Sequence, residues 1–158
     1  MLYLAMNDEH FIRLAIKEAR ESESIGGAPI GAILVKDNQK IASGHSLVWP
    51  LKDPSAHAET QCIRVACEKL QSLDLTGCTL YSTLESCSMC LGCAGWAKLS
   101  RIVFGAFKED VQPNPYELEG YDAIEHAKNI QGLEVIGGIL REECAELMKN
   151  IRNWEPIS

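Results

Sequence analysis

Hydrophobic and polar positions along the chain follow two periods, one typical of helices and one of strands. Residues 8–21 carry apolar side chains at helical spacing behind Asp8, which predicts an amphipathic helix with Asp8 as its N-cap. The runs "PIGAILV" and "KIASGH" flank Asp37 and Asn38, a pattern typical of two strands joined by a tight turn. The first run is apolar on both faces, so we expect that strand inside the sheet.

The remaining segments continue this alternation. Apolar spacing predicts a second helix from Ala56 to about Leu70, a strand "CTLYST", a third helix "CSMCLGCAGWAKL" and a strand "RIVFGA". A polar stretch over 107–130 precedes a short strand "LEVIG" and a closing helix "REECAELMKNIRNW". Such alternation predicts an α/β protein with helices on both faces of the sheet. Within the polar stretch, "KEDVQPNPYELEGYD" is predicted to be a surface excursion that could border a site.

Length and composition favour a globular protein with one domain. The chain has 158 residues, of which 46% are hydrophobic and 23% charged. Its formal net charge of -7 argues against long contact with a phosphate backbone. No apolar run approaches the roughly 18 residues of a membrane helix. The opening "MLYLAM" lacks the features of a secretion signal, and residues 1–6 are predicted to form an arm outside the fold.

Cysteines are the first candidates for chemistry. The chain has seven of them, in uneven spacing: Cys62, Cys67, Cys78, Cys87, Cys90, Cys93 and Cys144. An odd count without an export signal argues against a disulfide framework. We therefore expect reduced thiols or metal ligands in a cytoplasmic protein.

Cys87 and Cys90 form a C-x-x-C pair at the start of the third predicted helix, where both sulfurs project from the same side. Taken alone, the pair fits a redox couple, half of a zinc site, part of an iron-sulfur motif or two buried side chains. Cys93 extends the pattern, but Ala97 and Lys98 stand where an iron-sulfur run needs Cys and Pro. The plain interpretation of Cys93 is a small core side chain.

His57 and Glu59 favour zinc among these alternatives. They form an H-x-E pair at the start of the second predicted helix, directly after Asp53 and Pro54. A catalytic zinc commonly takes three protein ligands and leaves one position to water, and one His with two Cys is a known set. Two thiolates cancel the charge of the ion, so the water needs a base such as Glu59. The plainer alternative for Glu59 is a first-turn acid that complements the helix dipole.

The segments "HAE" at 57–59 and "CSMC" at 87–90 resemble the motifs of the zinc-dependent cytidine deaminase-like superfamily, H-x-E and P-C-x-x-C. The likeness covers roughly residues 8–150 and is nearest to the branch of guanine deaminases, yeast-type cytosine deaminases and bacterial tRNA adenosine deaminases. It implies a three-layer α-β-α fold with a five-stranded mixed sheet. It also implies zinc held by His57, Cys87 and Cys90, with Glu59 as proton shuttle in hydrolytic deamination.

Two residues depart from the pattern of that branch. Ser86 replaces the Pro before the first Cys, and Ser46 replaces an Asn that hydrogen-bonds the base. A hydroxyl offers fewer hydrogen bonds than an amide, so base recognition is expected to differ. The expected substrate-binding residues are Ser46, Trp49, Ala58 and Trp96, although each tryptophan has a plainer interpretation as core packing. The C-terminal "NWEPIS" is expected to close over the pocket.

The resemblance thus predicts a deaminase of a small nucleobase or nucleoside, guanine first and cytosine-type second, acting as a homodimer. Adenosine in tRNA is the alternative, placed lower because the sequence shows no obvious basic face. A zinc-stapled relative without activity is a second class of hypothesis, supported by Ser46 and Ser86. A redox protein with a Cys87–Cys90 disulfide is the third.

Overall fold

The computed structural model describes residues 2–115, 117–149 and 151, and for residues 2–7 the backbone alone. The five strands are β1 Gly31–Lys36, β2 Gln39–His45, β3 Thr79–Leu84, β4 Arg101–Ala106 and β5 Glu134–Ile136. The six α-helices are α1 Leu2–Ser24, α2 Val48–Leu51, α3 Ala58–Leu70, α4 Ser88–Trp96, α5 Ala123–Ala127 and α6 Arg141–Leu147. A single 3-10 turn covers Lys108–Asp110.

The strands form one mixed sheet in the order β2-β1-β3-β4-β5. β1 pairs antiparallel with β2 and with β3, whereas β3, β4 and β5 run parallel. The β1–β2 turn is formed by Asp37 and Asn38, whose φ angles of 49° and 60° suit a tight hairpin turn. These findings confirm the five-stranded mixed sheet, the hairpin and the interior place of β1.

Two hydrophobic cores lie on opposite faces of this sheet. On one face, the buried strand residues pack with α3, α4 and α5, and they include Leu34, Leu80 and Ile102. On the other face the neighbouring strand residues pack with α1 and α6, and they include Ile33, Tyr81 and Val103. Because successive side chains of a strand point to opposite faces, a strand buried on both sides must be apolar at consecutive positions. The three-layer α-β-α architecture is confirmed.

Several boundaries differ from the sequence prediction. α1 begins at Leu2, so residues 2–6, predicted as an arm, continue the helix, and Asp8 is not its N-cap. The Asp8 side chain is buried and accepts hydrogen bonds from Arg101 and Tyr81, because it faces the sheet. α3 begins two residues after the predicted Ala56.

The helices that the sequence did not predict are short. α2 has four residues and α5 five, less than two turns, so no apolar period develops in them. α6 ends at Leu147, earlier than the predicted 154. None of the helices described by the structure is both long and apolar enough to cross a membrane.

Candidate active site

His57 is set in place by the turn before α3. The Asp53 carboxylate accepts hydrogen bonds from the Ser55 amide at 2.8 Å and the Ser55 hydroxyl at 2.7 Å, which closes an Asx turn. The Thr60 hydroxyl donates to the carbonyls of Ser55 and His57 at 2.5 and 3.0 Å. His57 thereby becomes the N-cap residue of α3 with an extended backbone, as its position after Asp-Pro predicted.

Gly44 of β2 brings the start of α3 against the sheet. A Cβ at this position would lie 2.5 Å from the Ala58 carbonyl oxygen and 2.6 Å from the Cys62 amide nitrogen. Such contacts with backbone atoms are too short for any side chain. Glycine is therefore the residue that lets the first turn of α3, with Glu59, approach β2 this closely.

Cys87 opens α4 in the same way that His57 opens α3. It is the N-cap residue, and its sulfur accepts a hydrogen bond from the Cys90 amide at 3.5 Å. α4 follows β3 directly, so both ligand-bearing helix starts meet beside the carboxyl end of that strand. Helix N-termini favour negative charge, so this position suits thiolates.

The three predicted ligands come together. The ligand atoms of His57, Cys87 and Cys90 all lie within 4.8 Å of one another. The Nδ1 atom of His57 is 3.6 Å from the Cys87 sulfur. Tetrahedral zinc with standard bond lengths separates a nitrogen and a sulfur ligand by about 3.6 Å. The donor set and its spacing therefore fit zinc, and among the described residues no further acid, His or Cys joins this group.

Burial and hydrogen bonds shift the pKa values of the two thiols in opposite directions. Hydrogen bonds from Cys90 and His57 outweigh burial and lower the pKa of Cys87 to about 4. The hydrogen bond to Cys87, together with burial, raises the pKa of Cys90. The hydrogen bond with Cys87 also raises the pKa of His57, against the effect of burial. The site therefore favours the thiolate form of Cys87, which is the form of cysteine that binds a metal.

Glu59 lies in the first turn of α3 with its side chain inside the protein. It is 4% exposed and lines the same cavity as His57 and Cys87. Burial, with the Cys87 thiolate second, raises its pKa to about 7. An acid that only complements the helix dipole could do so from an exposed position, so the burial of Glu59 argues against that plainer alternative. The arrangement places a carboxyl group that can hold a proton next to the metal ligands.

A cavity of about 450 Å³ opens beside these residues. Its size suits one small organic ligand. Among the expected substrate-binding residues, Ser46, Trp49 and Ala58 line it. Ser46 is fixed through its backbone, which donates to the Ile30 carbonyl at 3.0 Å and accepts from the Ser22 hydroxyl at 2.7 Å.

Trp96 lies elsewhere. It is the last residue of α4, is 90% exposed and does not line the cavity, so it occupies neither the expected substrate-binding place nor the core. Its helix position turns the ring towards solvent, away from the ligand-bearing start of α4. The tail "NWEPIS" at 153–158 lies outside the described residues.

Two acids and an amide that were not singled out from the sequence also line the cavity: Glu85, Asn114 and Glu117. Glu85 stands two residues before Cys87, and this adjacency to a metal ligand was an available signal. Asn114 and Glu117 lie in the excursion that was expected to border a site, but no spacing rule singles them out. Their approach depends on tertiary structure alone.

The seven cysteines are unpaired in the structure, Cys87 and Cys90 included. The disulfide expected of a redox protein is thus not formed. The geometry instead fits a zinc site of the catalytic type, in which His57, Cys87 and Cys90 would be the three protein ligands beside an open cavity.

Comparison with known proteins supports this description. Residues 5–106 match the family model described as the cytidine and deoxycytidylate deaminase zinc-binding region. A tRNA-specific adenosine deaminase of Bacillus subtilis (strain 168) is 38% identical over 143 residues, covering 89% of this chain and 86% of that protein. A guanine deaminase of the same organism is 42% identical over 106 residues, covering 66% and 68%. A structure from a study of A-to-I editing by tRNA:A34 deaminases superposes with a TM-score of 0.75 at 35% identity, covering 87% and 98%.

Proposed function

This chain belongs to the cytidine and deoxycytidylate deaminase family of zinc-dependent hydrolases, and on that premise we propose that it deaminates the adenine ring of adenosine in tRNA. The extent of the match to tRNA-specific adenosine deaminases carries the proposal. The tRNA-specific adenosine deaminase of Bacillus subtilis aligns over 89% of this chain, whereas the guanine deaminase of the same organism aligns over 66%. The likeness to the tRNA enzymes thus includes residues beyond the zinc-binding region.

This proposal revises the order expected from the sequence. The acidic composition favoured free guanine over tRNA as the expected substrate. However, a net charge of -7 summed over the chain does not describe the surface around the cavity. The cavity itself is suited to one base with its sugar. An adenosine of a tRNA loop would have to leave its stack to enter it, which is how deaminases reach bases in nucleic acids.

The chemistry of the site follows from its own residues. His57, Cys87 and Cys90 would hold zinc, which when bound supplies a water molecule that is readily deprotonated. Glu59 accepts that proton and delivers it to the ring nitrogen. When the carbon–nitrogen bond breaks, Glu59 takes the remaining proton from the hydroxyl group that has added to the ring carbon and passes it to the amine, which leaves as ammonia. The apolar side chains of Ile30, Val48 and Leu84 in the cavity wall limit the access of bulk water to Glu59.

Guanine is the second candidate substrate. The guanine deaminase of Bacillus subtilis is 42% identical over its 106 aligned residues, compared with 38% over 143 residues for the tRNA-specific adenosine deaminase. Ser46 also supports a changed base contact, since a hydroxyl offers one donor where an amide offers two donors and a separate carbonyl acceptor. We further propose a homodimer and a cytoplasmic location, the latter because seven unpaired cysteines suit a reducing compartment.

The experiment is ammonia release by zinc-loaded protein across a substrate panel. The panel contains a tRNA anticodon stem-loop with adenosine, the same stem-loop with guanosine, free adenosine, guanine and cytosine. We expect kcat/KM to be highest for the adenosine stem-loop. Faster turnover of guanine than of the stem-loop would transfer the assignment to guanine, and no turnover of any member by protein with stoichiometric zinc would support the zinc-stapled alternative.

A further inference from the structure

Met89 lies between the two cysteines of the candidate zinc site and belongs to the cavity wall. It directly precedes Cys90 in the first turn of α4, and successive residues of a helix are turned by about 100° from one another. Its side chain therefore points in a different direction from the Cys90 sulfur. It is 39% exposed and lines the cavity together with His57 and Cys87. A thioether thus forms part of the surface that faces an incoming ligand.

The other methionines differ from Met89 in position. Met148 follows α6 and is 3% exposed, in the hydrophobic core on the α1 side of the sheet. Met1 and Met6 stand near the start of the chain, where the structure describes no side chains. Among the side chains that are described, a dissolved oxidant therefore reaches the sulfur of Met89 far more readily than that of Met148.

The thiols outside the candidate zinc site compete poorly for such an oxidant. Peroxides react with thiolates, and burial raises the pKa of all five of these cysteines: Cys62, Cys67, Cys78, Cys93 and Cys144. Cys87 and Cys90 would be occupied as ligands in the zinc-loaded protein. The thioether of Met89 carries no proton, so its oxidation needs no deprotonation.

One side of the cavity is held in place by Glu85. One of its carboxylate oxygens accepts a hydrogen bond from the Lys108 amide and the other from the Ala123 amide, both at 3.0 Å. Glu85 is 7% exposed, so both bonds lie away from solvent. A single buried side chain thus joins both ends of the chain between Lys108 and Ala123 to the end of β3. This side of the cavity has little freedom to move aside for an atom added to the wall.

Oxidation would add one polar atom to a largely apolar wall. A lone pair of the Met89 sulfur attacks one oxygen of hydrogen peroxide, the O–O bond breaks, and a sulfoxide and one water molecule form. The sulfur is oxidised by two electrons and the peroxide is reduced by two. Ile30, Val48 and Leu84 contribute apolar side chains to the same wall. A ligand that covers the sulfoxide oxygen there would remove the water bound to it, which weakens binding.

We propose that Met89 is a reversible oxidation site of the cavity wall, at which a peroxide forms methionine sulfoxide and thereby weakens substrate binding. The inference rests on the proposed function only for the substrate that reports the weakening. Zinc stays bound, because neither the thioether nor its oxidation involves the ligand atoms. Methionine sulfoxide reductases, with a dithiol that supplies two electrons, reduce the sulfoxide to the thioether and water.

Hydrogen peroxide applied to zinc-loaded wild type, Met89→Leu and Met148→Leu proteins tests the proposal. Excess glutathione afterwards reverses the oxidation of thiols but not of thioethers. Peptide mass mapping, zinc content and KM are compared with the untreated sample of each protein, with the fastest substrate of the panel above. In the wild type we expect one added oxygen atom at Met89, unchanged zinc content and a ~10-fold rise in KM. Met148→Leu should respond as the wild type does, and Met89→Leu should keep its own KM.

Met89→Gln places a polar oxygen in the wall without any oxidant. We expect its KM to approach that of the oxidised wild type and to change no further on treatment with peroxide. Because the added atom acts on binding and not on the transition state alone, KM should rise while kcat stays within about twofold. Methionine sulfoxide reductases should restore the KM of the oxidised wild type and leave that of Met89→Gln unchanged.

Three results would overturn the proposal. They are oxidation of Met148 before Met89, an unchanged KM in wild type oxidised at Met89, and an equal rise of KM in treated Met89→Leu. A loss of zinc that accompanies the rise in KM would likewise assign the effect to the cysteines. If no substrate of the panel is turned over, the proposed function alone fails. The peptide map then still supports the oxidation site if Met89 reacts first, and overturns it if Met89 does not.

Discussion

Glu59 differs from the other acids of α3 in its surroundings. Glu68 is exposed on the same helix, whereas Glu59 is buried beside the metal ligands. Because both acids are glutamates of the same helix, replacing each by glutamine removes the same charge from α3. A difference between the two variants in activity would therefore reflect the local role of Glu59.

We expect Glu59→Gln to lower kcat by ~100- to 10,000-fold while the protein keeps stoichiometric zinc, because an amide cannot transfer the proton. Glu68→Gln is the control and should leave kcat unchanged. Steady-state ammonia release and metal analysis of the same samples measure both quantities. Near-normal turnover by zinc-loaded Glu59→Gln protein would remove Glu59 from the mechanism.

The residues of the candidate zinc site could be predicted from the sequence for a physical reason. His57, Glu59, Cys87 and Cys90 lie in two short segments whose spacing is imposed by a helix start, so local rules bring each pair together. Glu117 belongs to an irregular loop and reaches the cavity through contacts distant in sequence. Trp96 lies in α4, which the sequence predicted correctly, but the helical pattern did not reveal that its side chain would be exposed.

β2 and α3 meet at Gly44, and this contact decides where the first turn of the ligand-bearing helix lies. We expect Gly44→Ala to reduce the free energy of unfolding by about 1–3 kcal/mol, because a new methyl group would overlap backbone atoms that cannot move separately. Zinc affinity should fall as well, since the displaced turn follows His57. Urea unfolding and competition with a metal chelator measure the two effects.

Gly92 of α4 is the matched control for this substitution. A Cβ there meets nothing within 4 Å, and the residue lies inside a helix. Gly92→Ala should therefore raise the free energy of unfolding by about 0.5–1 kcal/mol through helix propensity. If the Gly44→Ala protein proved as stable as the Gly92→Ala protein, the role assigned to Gly44 would be contradicted.

Long elements were predictable from their periods, but their ends and the short elements were not. β4 was predicted with its observed bounds, because six consecutive residues suit a strand buried on both faces. α2 and α5 are stabilised by the surrounding chain, as the hydrogen bond of the Asp122 carboxylate to the Glu125 amide at 2.9 Å illustrates for α5. Interactions of this kind leave no periodic trace in the sequence.

Two strands of the sheet, β3 and β4, are joined to α1 by a largely buried ionic network. Arg101 of β4 donates two hydrogen bonds of 2.8 Å to the Asp8 carboxylate, and the Tyr81 hydroxyl of β3 donates a third of 2.8 Å. Burial acts to raise the pKa of Asp8, but these bonds prevail and lower it below 3.8. The folded protein therefore holds Asp8 ionised at lower pH than the unfolded chain does.

Asp8→Asn is expected to reduce the free energy of unfolding at pH 7 by about 3 kcal/mol, because Arg101 loses its buried charged partner and keeps only the exposed Glu134 at 3.5 Å. The folded pKa is the lower one, so the contribution of Asp8 is complete above the unfolded value and declines as pH falls below 3.8. The difference between wild type and variant should accordingly shrink in urea unfolding below that pH.

Glu143→Gln provides the comparison, since Arg13 and Glu143 form an ion pair with both side chains about half exposed. Its removal should change the free energy of unfolding by less than about 1 kcal/mol. A similar effect of both variants at pH 7 would contradict the structural role of Asp8.

The double acceptor at Glu85 has a consequence for how such a protein diversifies. The two oxygens of this buried carboxylate accept hydrogen bonds from the amides of Lys108 and Ala123, so the segment between these amides can be lengthened, shortened or exchanged without disturbing Cys87, two positions after Glu85. Inherited changes in that segment would then alter which molecule is accepted and leave the metal chemistry intact. Grafting the corresponding segment from another deaminase onto these two anchor points is a rational route to new selectivity.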